Sequence, residues 1–366
     1  MAVSKKLKAI YNGFFDGIET FAANTIAKLQ EERDLRMYID KSCKLSKEQV
    51  KSIKTFWKKY CTVSPKWALY YSAKNGQFDP RYIPNTLYYT KIDQHFNARK
   101  LGYGFNDKNY YSKIFSGIKQ PRVLVRKING MIFDENYNQI TVEGAFALIT
   151  SENEVICKPS QETGSGRGIQ FFSKDSIEAI KEFLGDKEYD DYIVQALIKQ
   201  HPILNKVHEG SVNTYRICSL LMEDGVHILS SVLRMGVGSS KIDNATAKDN
   251  AKYDGMACGI TEMGILKKYA YGYCTGQRYE KHPDGLVFDG FQLPAYDKAI
   301  ELIKQAHPRI AHFRLVSWDI AIDEEGEAVL VEANMRNGGI NFLQFNNGPL
   351  FGDLTEKVLD EVFGKH

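Results

Sequence analysis

The stretch Val316-Ser-Trp-Asp319-Ile-Ala-Ile-Asp-Glu-Glu-Gly326-Glu-Ala-Val-Leu-Val-Glu332-Ala-Asn334 constrains this chain more than any other. Two apolar runs flank an acidic turn that contains glycine, the pattern of a β-hairpin. A two-residue loop on Glu325-Gly326 and a four-residue loop from Glu324 to Glu327 both set Asp319 opposite Glu332. Side chains alternate along a strand, so Asp319, Glu332 and Asn334 then share one face, the last two about 7 Å apart. Two carboxylates and an amide oxygen on a rigid hairpin are hard ligands that suit Mg²⁺ with positions left open for phosphate oxygens. The alternative is that these are solvated surface acids, and the rest of the chain has to decide between the two.

Composition removes several classes. At 366 residues the chain is long enough for two or three lobes with real cores. A formal charge of +3 gives no electrostatic footprint for nucleic acid. No apolar run reaches the length of a membrane span, and Met1-Ala-Val-Ser-Lys-Lys lacks a signal-peptide core. The six cysteines form no C-x-x-C pair, so neither a zinc site nor a disulfide scaffold is expected, and reduced thiols in the cytoplasm are.

In chain order, the first hundred residues read as a helical N-terminal region. Ile10, Phe14, Ile18 and Phe21 recur at helical spacing, and Ser46-Lys-Glu-Gln49 is a capping box opening a helix through Trp57. Its many lysines read as a solvated surface, with docking on an anionic membrane surface as the minor alternative. Residues 101–190 read as a small α+β lobe. A helix begins near Asn106, as N-cap, and ends before Gln120-Pro121. Two strands then meet across Asn129-Gly130, a strong hairpin turn. A short helix over Val142–Ile149 precedes the strand Glu154–Pro159, a loop rich in glycine (Thr163, Gly164, Ser165, Gly166, Gly168) and a second strand from Ile169. Strand, glycine loop, strand is a flap whose backbone N–H groups can face an anion; it matches neither a Walker A loop nor a Rossmann turn. Lys158 adds to that reading, because a buried strand seldom carries a lysine without a partner. Residues 191–366 read as a larger lobe, with strands at Tyr192–Ile198, Ser211–Leu221 and Val226–Arg234, a long connection from Gly236 to Pro294, a helix from Ala295 to Ala306, the acidic hairpin and a closing helix. Arg216 and Arg234 fall on neighbouring strands of one hairpin, an arrangement suited to clamping an anion.

Taken in order, Asn213-Thr-Tyr-Arg-Ile217, Ile242-Asp-Asn244, His282-Pro-Asp284, Trp318-Asp319 and Val331-Glu-Ala-Asn334 resemble the ATP-grasp superfamily from about Phe105 to Gln344. This superfamily includes D-alanine–D-alanine ligase, glutathione synthetase, tubulin tyrosine ligase and biotin carboxylase. The wording is most similar to the sugar-transfer-associated ATP-grasp proteins of polysaccharide gene clusters. The resemblance implies an α+β ATP-grasp fold, two α+β subdomains gripping ATP, with one or two Mg²⁺ ions. By the same resemblance Lys108 and Lys158 contact phosphates, and Thr163 to Gly168 close over them. Gln195, Ala196, Leu197 and Ile198 form the hinge that reads adenine, with Leu197 against the base. Arg216 falls on the transferred phosphoryl group, where Arg234 of the neighbouring strand is placed to assist it by its own chemistry, and Asp319, Glu332 and Asn334 match the metal ligands. Three departures stand out: Gln195 where glutamate often begins the hinge, Ala245-Thr-Ala-Lys-Asp249 where glycines are expected, and Ser317 where glycine commonly precedes Trp-Asp.

The expected activity is an ATP-dependent carboxylate–amine ligase working through an acyl phosphate. Its small-molecule partners would be an acid and an amine, by association a sugar acid or another precursor of a cell-surface polysaccharide, and peripheral association with a polysaccharide assembly machinery is a further expectation. The rivals are a phosphotransferase on a hydroxyl acceptor and a non-catalytic nucleotide-binding scaffold.

Overall fold

Small polar caps and positive-φ glycines punctuate the chain where the sequence places them. The structure is a computed structural model and describes residues 43–161, 166, 168–185, 190–243, 254–273, 276–336 and 338–364. The proposed helix over Ile10–Phe21 lies outside them. By contacts the chain divides into two compact units, residues 1–97 with 339–366 and residues 98–338.

In the first unit, helix α1 (Lys47–Trp57) carries the predicted capping box: Ser46 Oγ accepts from the Gln49 amide, and Gln49 Oε1 accepts from the Ser46 amide at 2.8 Å. Helix α2 (Pro65–Asn75) starts at Ser64 with proline at its first position, and Gly76 ends it at φ 75°. Tyr71 stacks on Tyr82, with ring centroids 5.0 Å apart.

The second unit holds two antiparallel sheets. The smaller has the order β2-β1-β5-β3-β4, from β1 (Val123–Ile128), β2 (Met131–Phe133), β3 (Glu154–Pro159), β4 (Gln170–Ser173) and β5 (Tyr192–Ala196). Asn129 (φ 48°) and Gly130 (φ 77°) form the β1–β2 turn with both central residues left-handed, as an Asn-Gly hairpin requires. Helices α3 (Val142–Thr150) and α4 (Ile177–Gly185) cover one face, burying Ala145, Ile149, Ile180 and Phe183 against Val155, Cys157 and Val194. Strand alternation turns Ile156 and Lys158 of β3, and Ile193 and Gln195 of β5, to the opposite face.

The larger sheet has the order β10-β9-β8-β7-β6-β11-β12, from β6 (Thr214–Met222), β7 (Gly225–Met235), β8 (Met256–Ile260), β9 (Leu266–Gly272), β10 (Arg278–Tyr279), β11 (Leu315–Ile322) and β12 (Ala328–Asn334). One face packs Tyr215, Ile217, Leu233, Trp318 and Ile320 against Ala299, Leu302 and Ile303 of helix α5 (Tyr296–Ala306). The other carries Thr214, Arg216, Arg234, Asp319, Glu332 and Asn334.

Three details differ from the sequence expectation. The long connection after Gly236 contains strands β8 to β10; β8 is the run Met-Ala-Cys-Gly-Ile, whose small residues give little strand signal although all five are buried. The helix expected from Asn106 is a single turn of 3₁₀ helix (Lys108–Tyr110) followed by Tyr111–Ile114, and its cap is Asp107, which accepts from the Asn109 amide at 2.9 Å. In the acidic hairpin, Asp323 pairs with Glu327 around a three-residue loop, with Gly326 at φ 75°. Val331 is then an extra residue, because Ile320 pairs with Leu330 and Asp319 with Glu332. This bulge restores the register that Asp319 and Glu332 need.

Candidate functional site

Three neighbouring strands set the geometry. Arg216 pairs with Asp319, and Asp319 pairs with Glu332, so the three lie in one row across β6, β11 and β12. Arg234 is opposite Thr214, one pleat along on the same face. Asp319 is buried at 4% exposure, which forces its charge to find partners on the protein. Arg216 grips it with two bonds, Nε to Oδ1 and Nη2 to Oδ2, the latter 2.8 Å. Arg234 Nη1 lies 3.1 and 3.0 Å from the two oxygens. Burial works against the Asp319 charge, but the two guanidinium groups hold its carboxyl below the ordinary range. Asn334 donates to the Ser317 carbonyl at 3.1 Å and approaches Asp319 Oδ2 at 3.4 Å.

From outside the sheet one lysine bonds to this row and a second feels its charge. The Lys108 backbone amide is tied to the Ser160 carbonyl at the end of β3 (2.8 Å), and its Nζ reaches Glu332 Oε1 at 2.7 Å. Burial opposes ionisation of Glu332 as well, and Lys108 holds that carboxyl low. Lys158 is pushed down to about 8, first by burial and then by the charge of Lys108, while Glu332, Asp243 and Asp319 pull it back up. Its ammonium thus senses the two hairpin carboxylates, Asp319 and Glu332, together with Lys108 and Asp243.

Sequence reasoning gave no role to Asp243, yet the structure brings it in. Arg234 Nη2 donates to its Oδ1 at 3.1 Å, and Thr214 donates to its other oxygen. Burial raises the Asp243 carboxyl despite Arg234 beside it. The signal was available: Thr214 and Arg216 share a strand face at spacing two, and Asp243 sits in one of the quoted phrases.

Gln195 sits in the centre of the smaller sheet, buried, on the face that also carries Lys158. The Ala196 amide donates to the Arg122 carbonyl at 3.0 Å, so it is committed to β1. Leu197 and Ile198 follow the strand end, half-buried. The chain then pairs with the acidic hairpin: His201 donates to the Ile322 carbonyl at 2.9 Å and Glu324 to that of Lys199 at 2.8 Å. Thr163, Gly164 and Ser165 lie outside the described residues. Gly166 and Gly168 both have positive φ, 69° and 79°, and the Gly168 carbonyl accepts from the Tyr192 hydroxyl.

The model of the sugar-transfer associated ATP-grasp family matches residues 88–359. The chain belongs to this family. Its α+β fold is the ATP-grasp fold, and its neighbours among solved structures are ATP-grasp ligases. One is the ligase PsnB in complex with a phosphomimetic variant of minimal precursor, Mg and ADP (11% identity, TM-score 0.44, covering 73% of this chain and 61% of that one). Another is D-alanyl-alanine synthetase A from Vibrio cholerae (14%, 0.39, 70% and 65%). A third is the VanG D-Ala:D-Ser ligase from Enterococcus faecalis (16%, 0.42, 71% and 61%). The ATP-grasp chain thus spans less than two thirds of the length of each. No curated protein matches it.

The donor set of this ATP-grasp chain fits Mg²⁺. Asn334 spends its amide nitrogen on the Ser317 carbonyl, which leaves Oδ1 as a hard oxygen ligand beside the Asp319 and Glu332 carboxylates. Ser317, the departure from glycine, is buried at 2% and its carbonyl is what orients that amide.

Proposed function

We propose that the chain is an ATP-dependent carboxylate–amine ligase that activates its acid as an acyl phosphate. The observation that carries this reading is the cluster in which Arg216 and Arg234 of the larger sheet, with Lys108 and Lys158 from outside it, gather around Asp319, Glu332 and Asp243. Four cations against three carboxylates leave a surplus of positive charge where a polyphosphate would lie. Asp319, Glu332 and Asn334 would hold Mg²⁺, which when bound neutralises charge on the β- and γ-phosphates. Lys108 and Lys158 hold and align the phosphates. Arg216, released from Asp319, stabilises the phosphoryl group in transfer, and then the oxyanion formed when the amine attacks the acyl phosphate; Arg234 supports it. Losing one such donor costs about 10²–10³ in rate. The glycine flap after Lys158 excludes water that would hydrolyse the acyl phosphate. Gln195 to Ile198 receive the adenine at the strand end. The proposed acid is a sugar acid or related precursor of a cell-surface polysaccharide, which the family description supports by association.

The test crosses uronic acids and amino acids with a panel of amines in the presence of ATP and Mg²⁺, with products read by mass spectrometry. A condensation product with ADP and free phosphate, absent with Glu332→Gln, is the expected outcome. A product heavier by one phosphoryl group, formed without any amine, would make the chain a kinase and sink the ligase reading. Turnover unchanged in Glu332→Gln would remove the metal role from the hairpin.

A further inference from the structure

Beyond the nucleotide cluster, a second group of chemistry-bearing side chains converges where β7 ends. His208 meets His282 and Asp284 of the His-Pro-Asp phrase, the latter 76 residues further on, and each offers a ligand atom within 4.8 Å of the other two. Both imidazoles are buried, at 3% and 0% exposure. His282 Nε2 faces the Gly236 carbonyl at 2.9 Å; a carbonyl only accepts, so Nε2 carries the proton and Nδ1 keeps its lone pair. That lone pair receives the Asp284 amide at 3.1 Å and stands 3.5 Å from Asp284 Oδ2. His208 differs: its Nδ1 lies 2.7 Å from the same Oδ2, a carboxylate oxygen that only accepts, so Nδ1 carries a proton that an arriving cation displaces to solvent, while its Nε2 lies 3.5 Å from the Ser240 carbonyl.

Imidazoles that bind metal turn their far nitrogen to a backbone carbonyl or carboxylate, which fixes the tautomer and aims the other nitrogen. His282 does so through the Gly236 carbonyl, His208 has the Ser240 carbonyl beside its Nε2 to do so once its Nδ1 proton is displaced, and both Nδ1 atoms lie beside one carboxylate oxygen. Bonds of about 2.0–2.1 Å in a tetrahedral site set neighbouring ligands roughly 3.3 Å apart. The two histidine–aspartate separations of 2.7 and 3.5 Å lie on either side of that spacing, and all three ligand atoms lie within 4.8 Å of one another. The Asp284 side chain is 46% exposed, which gives an ion a route in and leaves solvent at the fourth position.

We propose that His208, His282 and Asp284 form a site for Zn²⁺ or a neighbouring first-row divalent ion, separate from the nucleotide site. Two imidazole nitrogens and one carboxylate select such an ion over Mg²⁺. The carbonyls of Gly236 and Ser240 belong to the loop that leaves Arg234 and returns Asp243 to it. The ion therefore acts as a clasp that positions this loop, and the assignment does not depend on the ligase reading.

The test uses the full chain, stripped with chelator and titrated with Co²⁺ in the absence of nucleotide and Mg²⁺. The expected result is one equivalent bound, with the intense visible absorption of four-coordinate Co²⁺, competed away by Zn²⁺. Asp284→Asn and His208→Gln weaken binding by at least about tenfold, while Glu332→Gln leaves it intact. Asp284 is exposed, so its variant decides the matter if His208→Gln fails to fold. The absence of the visible bands, equal binding in all variants, or loss in Glu332→Gln alone would overturn the site. The first outcome would leave an ordinary histidine–aspartate hydrogen bond, and the last would place the ion at the nucleotide cluster.

Discussion

Asp319 and Glu332 are paired on adjacent strands, yet their protein partners differ, and stability separates them. Asp319 accepts from two buried arginines, whereas Glu332 meets one lysine and is a quarter exposed. Removing one partner of a buried ion pair costs about 3–5 kcal/mol because the remaining charge is stranded. Asp319→Asn should therefore lower unfolding stability by about 3 kcal/mol or more in urea, and Glu332→Gln by less than about 1 kcal/mol. Equal stability losses would mean that the arginines find other partners. Lys158 gives a second expectation. Its ammonium is held down to about 8 by burial and Lys108, and only the charged form attracts phosphate. Nucleotide affinity should fall as pH rises through about 8, with proton uptake on binding in that range, and Lys158→Arg should flatten the profile because guanidinium stays charged. A titration series across that range reads both. At this scale the sequence was informative wherever residues lie close along a strand or directly across a hairpin, as with Asp319, Glu332 and Asn334. His208 was silent because its partner Asp284 lies 76 residues further along the chain, and only tertiary packing brings the two together.

The hairpin of β11 and β12 shows how element-level reasoning can reach the right pairing by a different route. Its loop is one residue shorter than the longer sequence reading and one longer than the shorter, and the Val331 bulge compensates. Bulges carry no composition signal, so neither feature was legible; the alternation of apolar and acidic residues was, and it set the shared face. Two glycines in hairpins allow a contrast. Gly326 and Gly168 both have positive φ, where any side chain costs about 1–2 kcal/mol. A Cβ on Gly326 meets nothing closer than 3.8 Å, but one on Gly168 would lie 2.8 Å from Pro159 Cγ, next to Lys158. Gly326→Ala should lower the melting temperature and leave nucleotide affinity alone, while Gly168→Ala should weaken nucleotide binding as well. Calorimetric titration of both variants checks this; equal affinities would detach the flap from phosphate binding.

At the scale of the molecule, the positive surplus of the cluster predicts that ligand binding reports directly on its integrity. At a nucleotide concentration of about 100 times Kd, Mg²⁺ and ATP together should add about 2.7 kcal/mol to stability, seen as a rise in melting temperature. Glu332→Gln should lose most of that rise; a rise that survives it would mean that nucleotide binds without the hairpin. Among the described residues no helix is long and apolar enough to cross a membrane. Fold class was readable over this whole length because ordered motifs recur along it, whereas β8 to β10 were hidden in a stretch of small and polar residues. The double grip on Asp319 also bears on selectivity. Arg216 and Arg234 are already engaged, both with Asp319 and Arg234 with Asp243 as well, so a bare phosphate or sulfate from the medium must evict Asp319 and strand it without a counter-charge. An anion that arrives with its own divalent cation offers an exchange instead: the arginines pass to the newcomer's oxygens and the carboxylate passes to the metal. Under the proposed roles, a site wired in this way ignores common inorganic anions and opens to the one polyanion that brings the replacement partner with it.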